Sequence, residues 1–491
     1  MKAKTMTKAS DTINEITPDL IKMEERWKTF RGLLAKNLDA QLADDITLAM
    51  RELYSIYTVD VAKWYANLFD PEIGGYYYSN SARDFDEATY NGVTYKLLPD
   101  IESTYQGDGF LHASLVESGK TADVPSWYSD KIVRFVKGLQ DKKTGYFYHP
   151  QWGKETTDKF LSRRGRDLQM AVRLLERYGS APTYDTPLGT KGDGFLADGA
   201  PADMTGAYRY EPKSTEVKES ADRSVSSHLV NRESFEKHLA EIAVEYDKSK
   251  SSYTVGNHFE SQGAQILARD KVLRAEGADY SLCDILQEWL DERFNPKTGI
   301  WCSSETVGYT EVNGILKVTA SYNKINRPLP DPVASMRAAI GIITSDADPK
   351  HVCSVLNPWY AISLIRENVE NFIPKEKKDE LSEAVKEVGR ELVSCYPELV
   401  RATTRKLKMF RKPDGSFSYY ENNTAFCSQG MPVAHGAPNE GDLNATNICN
   451  FGIIGHIFAA LGVEPLPLFT VSDRIEYVNI LEKNAKAKKV L

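Results

Sequence analysis

The chain has 491 residues, of which 41% are hydrophobic and 26% are charged. This balance is ordinary for a folded protein and excludes an intrinsically disordered chain. The net charge of −8 argues against a broad nucleic-acid-binding surface, which needs clustered Lys and Arg side chains.

The N-terminal segment lacks the apolar core of a secretory signal, and no run of about 18 apolar residues occurs along the chain. These two features predict a cytoplasmic protein that does not bind membranes. The six cysteines are scattered without CxxC pairs or close Cys/His spacing. This scatter predicts reduced thiols, with neither a metal site nor a disulfide framework.

Four segments share a polar turn that reaches a glycine and is followed by an aromatic or apolar run. Their glycines, in chain order, are Gly74, Gly145, Gly299 and Gly415. Each turn follows a stretch with apolar residues at helical spacing. Glycine is the expected end of such a helix because it adopts the left-handed conformation at little cost.

A second pattern pairs a residue able to cap a helix with a Ser or Thr four positions later. The pairs are Asp100 with Thr104, Asn257 with Ser261, Asp331 with Ser335 and Asp442 with Thr446. An apolar run follows each pair, so each predicts the start of an inner helix. The repeated unit is an outer helix, a glycine turn and an inner helix. Several such units are predicted to close into a ring, because neither helix can bury its apolar face alone.

The predicted fold class is all-α, an (α/α)6-type toroid of about six helical hairpins with short β pairs confined to the glycine turns. Its predicted parts are a helical extension over residues 1–42, a catalytic toroid over 43–465 and a C-terminal tail over 466–491. Residues 180–230 lack a helical period and predict a lid-like insertion. Four capping residues are expected around one cleft, namely Asp100, Asn257, Asp331 and Asp442.

The pattern from about residue 43 to residue 463 resembles the α/α toroid carbohydrate-active enzymes. These include polysaccharide lyases of the alginate and heparin lyase type and (α/α)6-barrel glycoside hydrolases. Class II terpene cyclases are more distantly similar, but their DxDD acid motif is absent. Toroid lyases often carry an Asn-His pair on an inner helix, then a Tyr, then a His. The matching order here is Asn257 and His258, then Tyr322, then His435.

The lyase resemblance implies β-elimination of a uronate, which needs a neutralised carboxylate, a base and an acid. Asn257 would bind the substrate carboxylate, together with Glu260 if Glu260 is protonated or shares a proton. Tyr322 and either His258 or His435 would transfer the protons. The enolate charge would be stabilised by Arg327.

Hydrolysis is the alternative, and it needs two carboxylates that flank the glycosidic bond. The candidates are Asp100, Glu102, Asp331, Glu440 and Asp442. The three aspartates are better explained as helix caps, because Asp is among the best capping residues, whereas Glu102 and Glu440 are less readily explained in that way.

Sugar rings stack on aromatic side chains in either class of enzyme. The candidate stacking residues are Tyr77, Trp152 and Trp301. A sugar-binding toroid without catalysis is the third alternative. The expected partner is an oligosaccharide, with no nucleic acid, membrane, cofactor or metal, and the sequence leaves the oligomeric state open.

Overall fold

The computed structural model describes residues 22–58, 60–85, 87–113, 124–210, 225–249, 252–302 and 306–491. These ranges are mostly helical, with three short strand pairs, which confirms the all-α class. In these ranges, no helix combines the length and apolarity needed to cross a membrane. The six cysteines are free thiols.

The helices in chain order are α1 (residues 22–34), α2 (Ala40–Tyr54), α3 (Asp60–Leu68), α4 (Asn80–Asp84), α5 (Ile101–Ala113), α6 (Ser126–Gly138), α7 (Lys154–Lys159), α8 (Leu161–Arg177), α9 (Arg232–Ser249), α10 (Ser252–Ala275), α11 (Leu282–Asp291), α12 (Tyr309–Lys324), α13 (Pro332–Thr344), α14 (Cys353–Asn371), α15 (Lys375–Ser394), α16 (Tyr396–Phe410), α17 (Leu443–Asn447), α18 (Ile454–Leu461) and α19 (Val471–Ala487). A 3-10 turn spans Ser227–Leu229, and a π-helical segment, Ile448–Ile453, joins α17 to α18. The strands are β1 (Phe69–Asp70), β2 (Gly75–Tyr76), β3 (Glu87–Tyr90), β4 (Val93–Lys96), β5 (Cys427–Ser428) and β6 (Met431–Pro432).

Six helical segments contact one another in cyclic order. Helix α5 packs on α8, α8 on α10, α10 on α12 and α12 on α14. Helix α14 then packs on the π-helical segment and α18, and α17 packs back on α5. We call α5, α8, α10, α12, α14 and the α17–α18 segment the central helices. Most of the other long helices, including α3, α6, α9, α13 and α16, each contact at least one of them.

Each of the four glycine turns is closed by a short β bridge. The bridged pairs are Phe69–Tyr76, Gln140–Phe147, Asn295–Ile300 and Arg411–Phe417. All four glycines have φ between +69° and +91°, the left-handed region that disfavours other residues. This confirms the predicted β pairs at the glycine turns. The prediction that strands are confined to them is wrong, because β3–β4 and β5–β6 lie elsewhere.

The Asp-to-Ser/Thr pattern is explained by two structural tasks. Asp100, Asp331 and Asp442 each accept a hydrogen bond from the backbone N–H three positions later, as helix caps do. The Ser or Thr one turn further on then bonds the backbone of a glycine turn. These bonds are Tyr76 N to Thr104 Oγ at 3.0 Å, Ser335 Oγ to Gly299 O at 2.7 Å and Phe417 N to Thr446 Oγ at 3.0 Å. In these three pairs, the Ser or Thr side chain therefore attaches a glycine turn to the start of a helix.

Two of the four predicted helix starts are placed differently in the structure. Asp331 begins α13, which contacts α12, α14, α15 and α16 and is not one of the central helices. Asn257 lies inside α10, in its second turn, since that helix begins at Ser252. Asp100 and Asp442 do begin central helices, as expected.

Helices α1 and α19, which lie in the predicted extension and tail, pack into the body of the protein. Trp27 and Phe30 of α1 are buried, and the Phe30 ring lies 5.3 Å from the ring of Phe458. The expected boundary at residue 42 falls inside α2. Tyr477 and Leu481 of α19 are buried in the core that includes α3.

The described part of the predicted insertion packs beside the second glycine turn. Lys137 of α6 pairs with Asp193 at 2.6 Å, and the Tyr208 N–H donates to the Lys142 carbonyl at 2.8 Å. A Cβ added at Gly145 would lie 2.3 Å from the Asp185 carbonyl, so this close approach also requires glycine. Residues 211–224 of the predicted insertion lie outside the described ranges.

Candidate functional site

A cavity of about 440 Å³ lies among the central helices and is lined by residues from all six. Most lining residues come from the first half of their helix, such as Tyr105 and Gln106 of α5 and Tyr253 and Asn257 of α10. We call this space the central cavity. A cleft near the starts of the inner helices is what the sequence predicts.

The central cavity is strongly basic, although the chain as a whole is acidic. Its charged lining residues are Arg166, Arg173, Lys317, Lys324 and Glu260. The lining described by the structure thus has four cations and a single carboxylate, an excess of three positive charges. Such a concentration of one sign attracts and binds anions.

Glu260 is held by two lysines of α12. Its carboxylate oxygens lie 3.3 Å from Lys317 Nζ and 2.8 Å from Lys324 Nζ. Burial opposes ionisation, but the two lysines outweigh it and lower the pKa of Glu260 well below its usual range. Glu260 is therefore ionised at neutral pH, whereas its predicted role requires a carboxyl group that is protonated or shares a proton.

Asn257 and two neighbours present one face of α10 to the central cavity. Tyr253 precedes Asn257 by one helical turn and Ser261 follows it by one turn, so the three side chains lie above one another. The Asn257 Nδ2 donates to Gln429 Oε1 at 3.0 Å. Burial, followed by the nearby Cys353 thiol, raises the pKa of Tyr253, so its hydroxyl is protonated at neutral pH.

His456 and Tyr360 form another part of the lining. Their rings stack with centroids 4.1 Å apart, and His456 Nδ1 lies 3.0 Å from Ser363 Oγ. Burial lowers the pKa of His456 to about 4, so the imidazole is neutral at neutral pH. Sequence reasoning passed over His456 because it lies within an apolar run, with no polar pattern around it.

The predicted carboxylates Asp100 and Glu102 lie in a buried ionic cluster beside the cavity. Arg163 is fully buried and pairs with Asp100 at 2.7 Å, Glu102 at 3.0 Å and Asp167 at 2.9 Å. Glu102 also pairs with Arg166 at 2.6 Å. We call Arg163 with its three carboxylates the buried cluster. It fixes the position of Arg166 at the cavity wall.

The remaining predicted carboxylates also serve the fold. Glu440 accepts a hydrogen bond from Ser81 Oγ at 2.7 Å, and Asp331 caps α13. Asp442 caps α17, and burial raises its pKa to about 7. None of the five predicted carboxylates lines the central cavity as the structure describes it. The paired carboxylates of a hydrolase are therefore not found there.

Three residues predicted for proton transfer or charge stabilisation lie away from the central cavity. Tyr322 is fully buried and donates to Asp291 at 2.5 Å. His435 Nε2 lies 3.2 Å from the Phe85 carbonyl, and Arg327 pairs with Asp284 at 2.7 Å.

The helical period explains the placement of Tyr322. Lys317 and Lys324 are seven residues apart and share the cavity face of α12. Tyr322 is five residues after Lys317, which turns its side chain away from that face. The structure therefore does not bring Tyr322 to the central cavity, although the order of residue types along the chain suggested it.

The three predicted stacking aromatics are likewise outside the central cavity. Trp152 is buried and donates from Nε1 to the Pro432 carbonyl at 3.0 Å, and Trp301 is buried in the core. The Tyr77 hydroxyl lies 3.4 Å from Asp70. The aromatic residues that do line the cavity are Tyr105, Tyr253, Tyr360 and Tyr419.

A second cavity of about 450 Å³ adjoins the first, and the two share Ser162, Asn257 and Gln429. His258, the predicted partner of Asn257, lines this second cavity, and its Nε2 lies 2.9 Å from His238 Nε2. No described residue of the predicted lid, in 180–210 or 225–230, lines either cavity.

Among the side chains that the structure describes, no group of three or more His, Cys, Asp or Glu is arranged to hold a metal ion. Comparisons of the chain with protein-family models, with curated proteins and with solved structures find no match.

Proposed function

We propose that this protein is an α/α toroid enzyme that cleaves an acidic, uronate-containing oligosaccharide by β-elimination. The cyclic contacts of the six central helices support the toroid. The excess of positive charge in the central cavity is the observation that carries the substrate class. A cavity of this charge, with four tyrosines for stacking, suits an anionic sugar.

Elimination fits the lining better than hydrolysis does. Hydrolysis needs one carboxyl group that is protonated and a second carboxylate across the bond. Glu260 is the only carboxylate in the described lining of the central cavity, and the two lysines keep it ionised. Elimination needs cations or amides at the substrate carboxylate, and the cavity offers both.

The proposed roles fall on residues that line the central cavity. Arg166 and Asn257 bind the substrate carboxylate, which makes the hydrogen on the adjacent carbon acidic. Neutral His456 takes that proton. The carbon–oxygen bond to the leaving sugar breaks as a carbon–carbon double bond forms, and the Tyr253 hydroxyl gives its proton to the leaving oxygen. Bound anionic substrate strengthens His456 as a base, because a negative charge raises the pKa of an imidazole.

The test is to incubate the protein with a panel of uronate oligosaccharides and record ultraviolet absorbance. Elimination produces a conjugated double bond that absorbs, whereas hydrolysis does not. We expect His456→Gln and Tyr253→Phe each to lower the rate by about 100-fold or more. Tyr322→Phe and His435→Gln are the matched controls outside the cavity, and both should retain the activity.

Two results would contradict this proposal. Cleavage without ultraviolet absorbance would identify a hydrolase. Binding of acidic sugars without any cleavage would identify a sugar-binding protein.

A further inference from the structure

Two of the short strand pairs end in two-residue turns that have the same backbone shape but different residues. The β3–β4 turn is Asn91 and Gly92, with φ of 49° and 77°. The β5–β6 turn is Gln429 and Gly430, with φ of 50° and 83°. A turn with positive φ at both residues favours Asn or Asp before Gly, because these side chains tolerate the left-handed region. Asn91 follows this preference and Gln429 does not, so local turn chemistry does not explain the glutamine.

The side chain of Gln429 reaches the central cavity, whereas Asn91 is exposed to solvent. The Gln429 Oε1 accepts the hydrogen bond from Asn257 Nδ2 at 3.0 Å. An asparagine at position 429 would be one methylene group shorter and would lose this contact. The residue that suits the turn less well is therefore the one that is long enough to reach Asn257.

Both strands of the β5–β6 hairpin are attached to the body of the protein. In β5, Ser428 Oγ donates to Glu102 of the buried cluster at 2.7 Å. In β6, the Pro432 carbonyl accepts a hydrogen bond from Trp152 Nε1 at 3.0 Å. These contacts fix the turn between the two strands, so Gln429 is presented to the cavity at a fixed place.

The contact with Gln429 decides how the Asn257 amide faces a ligand. An asparagine side chain has two N–H donors and one carbonyl acceptor, and its terminal torsion is broad, so either end can face the cavity. The Gln429 oxygen holds the nitrogen of this amide by accepting one N–H, and the second N–H can donate to a carboxylate. Without Gln429, the amide can turn by half a rotation and present its own oxygen, which repels a carboxylate.

We propose that Gln429 is a positioning residue, which holds the Asn257 amide in the orientation that binds the substrate carboxylate. It acts through Asn257 and need not touch the substrate. This inference rests on the proposed function, because that function assigns the carboxylate to Asn257 and Arg166. It adds a residue of the β5–β6 turn and the reason why that turn contains glutamine.

The test exchanges the residues of the two turns, in a His456→Gln background so that the ligand is not consumed. Gln429→Asn restores the favoured turn residue but removes the hydrogen bond to Asn257. We expect it to unfold at a higher urea concentration and yet to bind a disaccharide of glucuronate and N-acetylglucosamine about tenfold more weakly, measured by titration calorimetry. The matched control is Asn91→Gln, the reverse exchange in the exposed turn. It should unfold at a lower urea concentration and bind the disaccharide unchanged.

A double-mutant cycle tests whether Gln429 acts through Asn257. In Asn257→Ala the amide is absent, so adding Gln429→Asn should change the dissociation constant by less than about twofold. A further tenfold weakening would show that Gln429 contacts the ligand directly, and it would overturn the inference.

Three other results would also overturn the inference. Unchanged binding by Gln429→Asn would show that the orientation of Asn257 does not depend on Gln429. Tighter binding would show that Gln429 competes with the ligand for the Asn257 amide. Weaker binding together with lower stability would assign Gln429 a structural role.

The outcomes for this inference and for the proposed function can be told apart. Ultraviolet-absorbing product from uronates, with binding unaffected by Gln429→Asn, would overturn only the inference. Weaker binding by Gln429→Asn, without absorbing product from the active protein, would overturn only elimination. Failure of the disaccharide to bind to any of these proteins would overturn both.

Discussion

Helix α8 contributes arginines to two regions with opposite properties, the buried cluster and the central cavity. Arg163 is fully buried and is surrounded by Asp100, Glu102 and Asp167. Arg166, less than one turn later, is 26% exposed, lines the central cavity and has Glu102 as its ion-pair partner. In the buried cluster, carboxylates outnumber the cation, whereas in the cavity cations outnumber the carboxylate. The acidic residues of the buried cluster therefore stabilise the fold, and the basic residues of the central cavity are available to a ligand.

The largest expected effect comes from removing the cation of the buried cluster. Arg163→Met leaves Asp100 and Asp167 without their counter-ion and leaves Glu102 with Arg166 alone. We expect the free energy of unfolding to fall by about 3–5 kcal/mol, measured by urea denaturation. The matched control is Arg327→Met, which removes a partly exposed pair with Asp284 and should cost about 1 kcal/mol or less. Equal losses in the two variants would refute the structural role of the buried cluster.

The contrast between the two regions also shows what the sequence could predict. The glycine turns and the capping aspartates obey local rules, because φ and helix capping depend on neighbours a few residues away. Gly74 and Asp442 were therefore identified correctly. The four-residue spacing within each Asp and Ser/Thr pair arises because these side chains attach a glycine turn to a helix. The aspartates of the pattern therefore have structural roles.

The composition of the central cavity could not be predicted in the same way. Arg166 and Lys317 are 151 positions apart in the sequence. They line the same cavity only because α8 and α12 both belong to the series of helices that contact one another in cyclic order. One local signal was available, since Tyr253 and Asn257 are one turn apart and Lys317 and Lys324 two turns apart on their helices. Following helical faces, instead of the order of residue types, would have selected these residues over Tyr322.

A smaller effect on stability depends on pH and concerns the buried helix cap Asp442. Burial raises the pKa of Asp442 to about 7, above its ordinary value of 3.8. The folded protein therefore holds this proton more tightly than the unfolded chain, and the stability it contributes is lost as pH rises from about 5 to about 8. We expect the wild type to lose about 1–3 kcal/mol more than Asp442→Asn over this range. The measurement is urea denaturation at a series of pH values.

The control for this pH effect is Asp331→Asn, which changes a half-buried cap that also accepts one backbone N–H bond. Asp442→Asn also loses the bond from the Tyr419 N–H, but that cost applies at every pH. The change with pH is therefore the informative quantity. Parallel pH curves for the wild type and Asp442→Asn would contradict the prediction.

The smallest effect on stability, and a specific effect on binding, is expected for Lys317→Met. Lys317 lines the central cavity, and its side chain is partly exposed. When Lys317 is removed, Glu260 still has Lys324 as an ion-pair partner. Stability should therefore change by about 1 kcal/mol or less, because a partly solvated pair is worth little. Loss of one cation should weaken binding of a glucuronate disaccharide about tenfold, since a charge-assisted hydrogen bond contributes about 1.4 kcal/mol or more. Calorimetry at two salt concentrations should show a weaker salt dependence than in the wild type.

The control for this binding effect is Lys142→Met, which removes an exposed cation that pairs with Asp203 outside both cavities. It changes the net charge by the same amount as Lys317→Met. If attraction of the ligand depended on the overall charge of the protein, the two variants would weaken binding equally. Because the chain is acidic overall and the cavity is basic, we expect only Lys317→Met to do so. Equal weakening would show that the cation excess of the central cavity is not what recognises the acidic sugar.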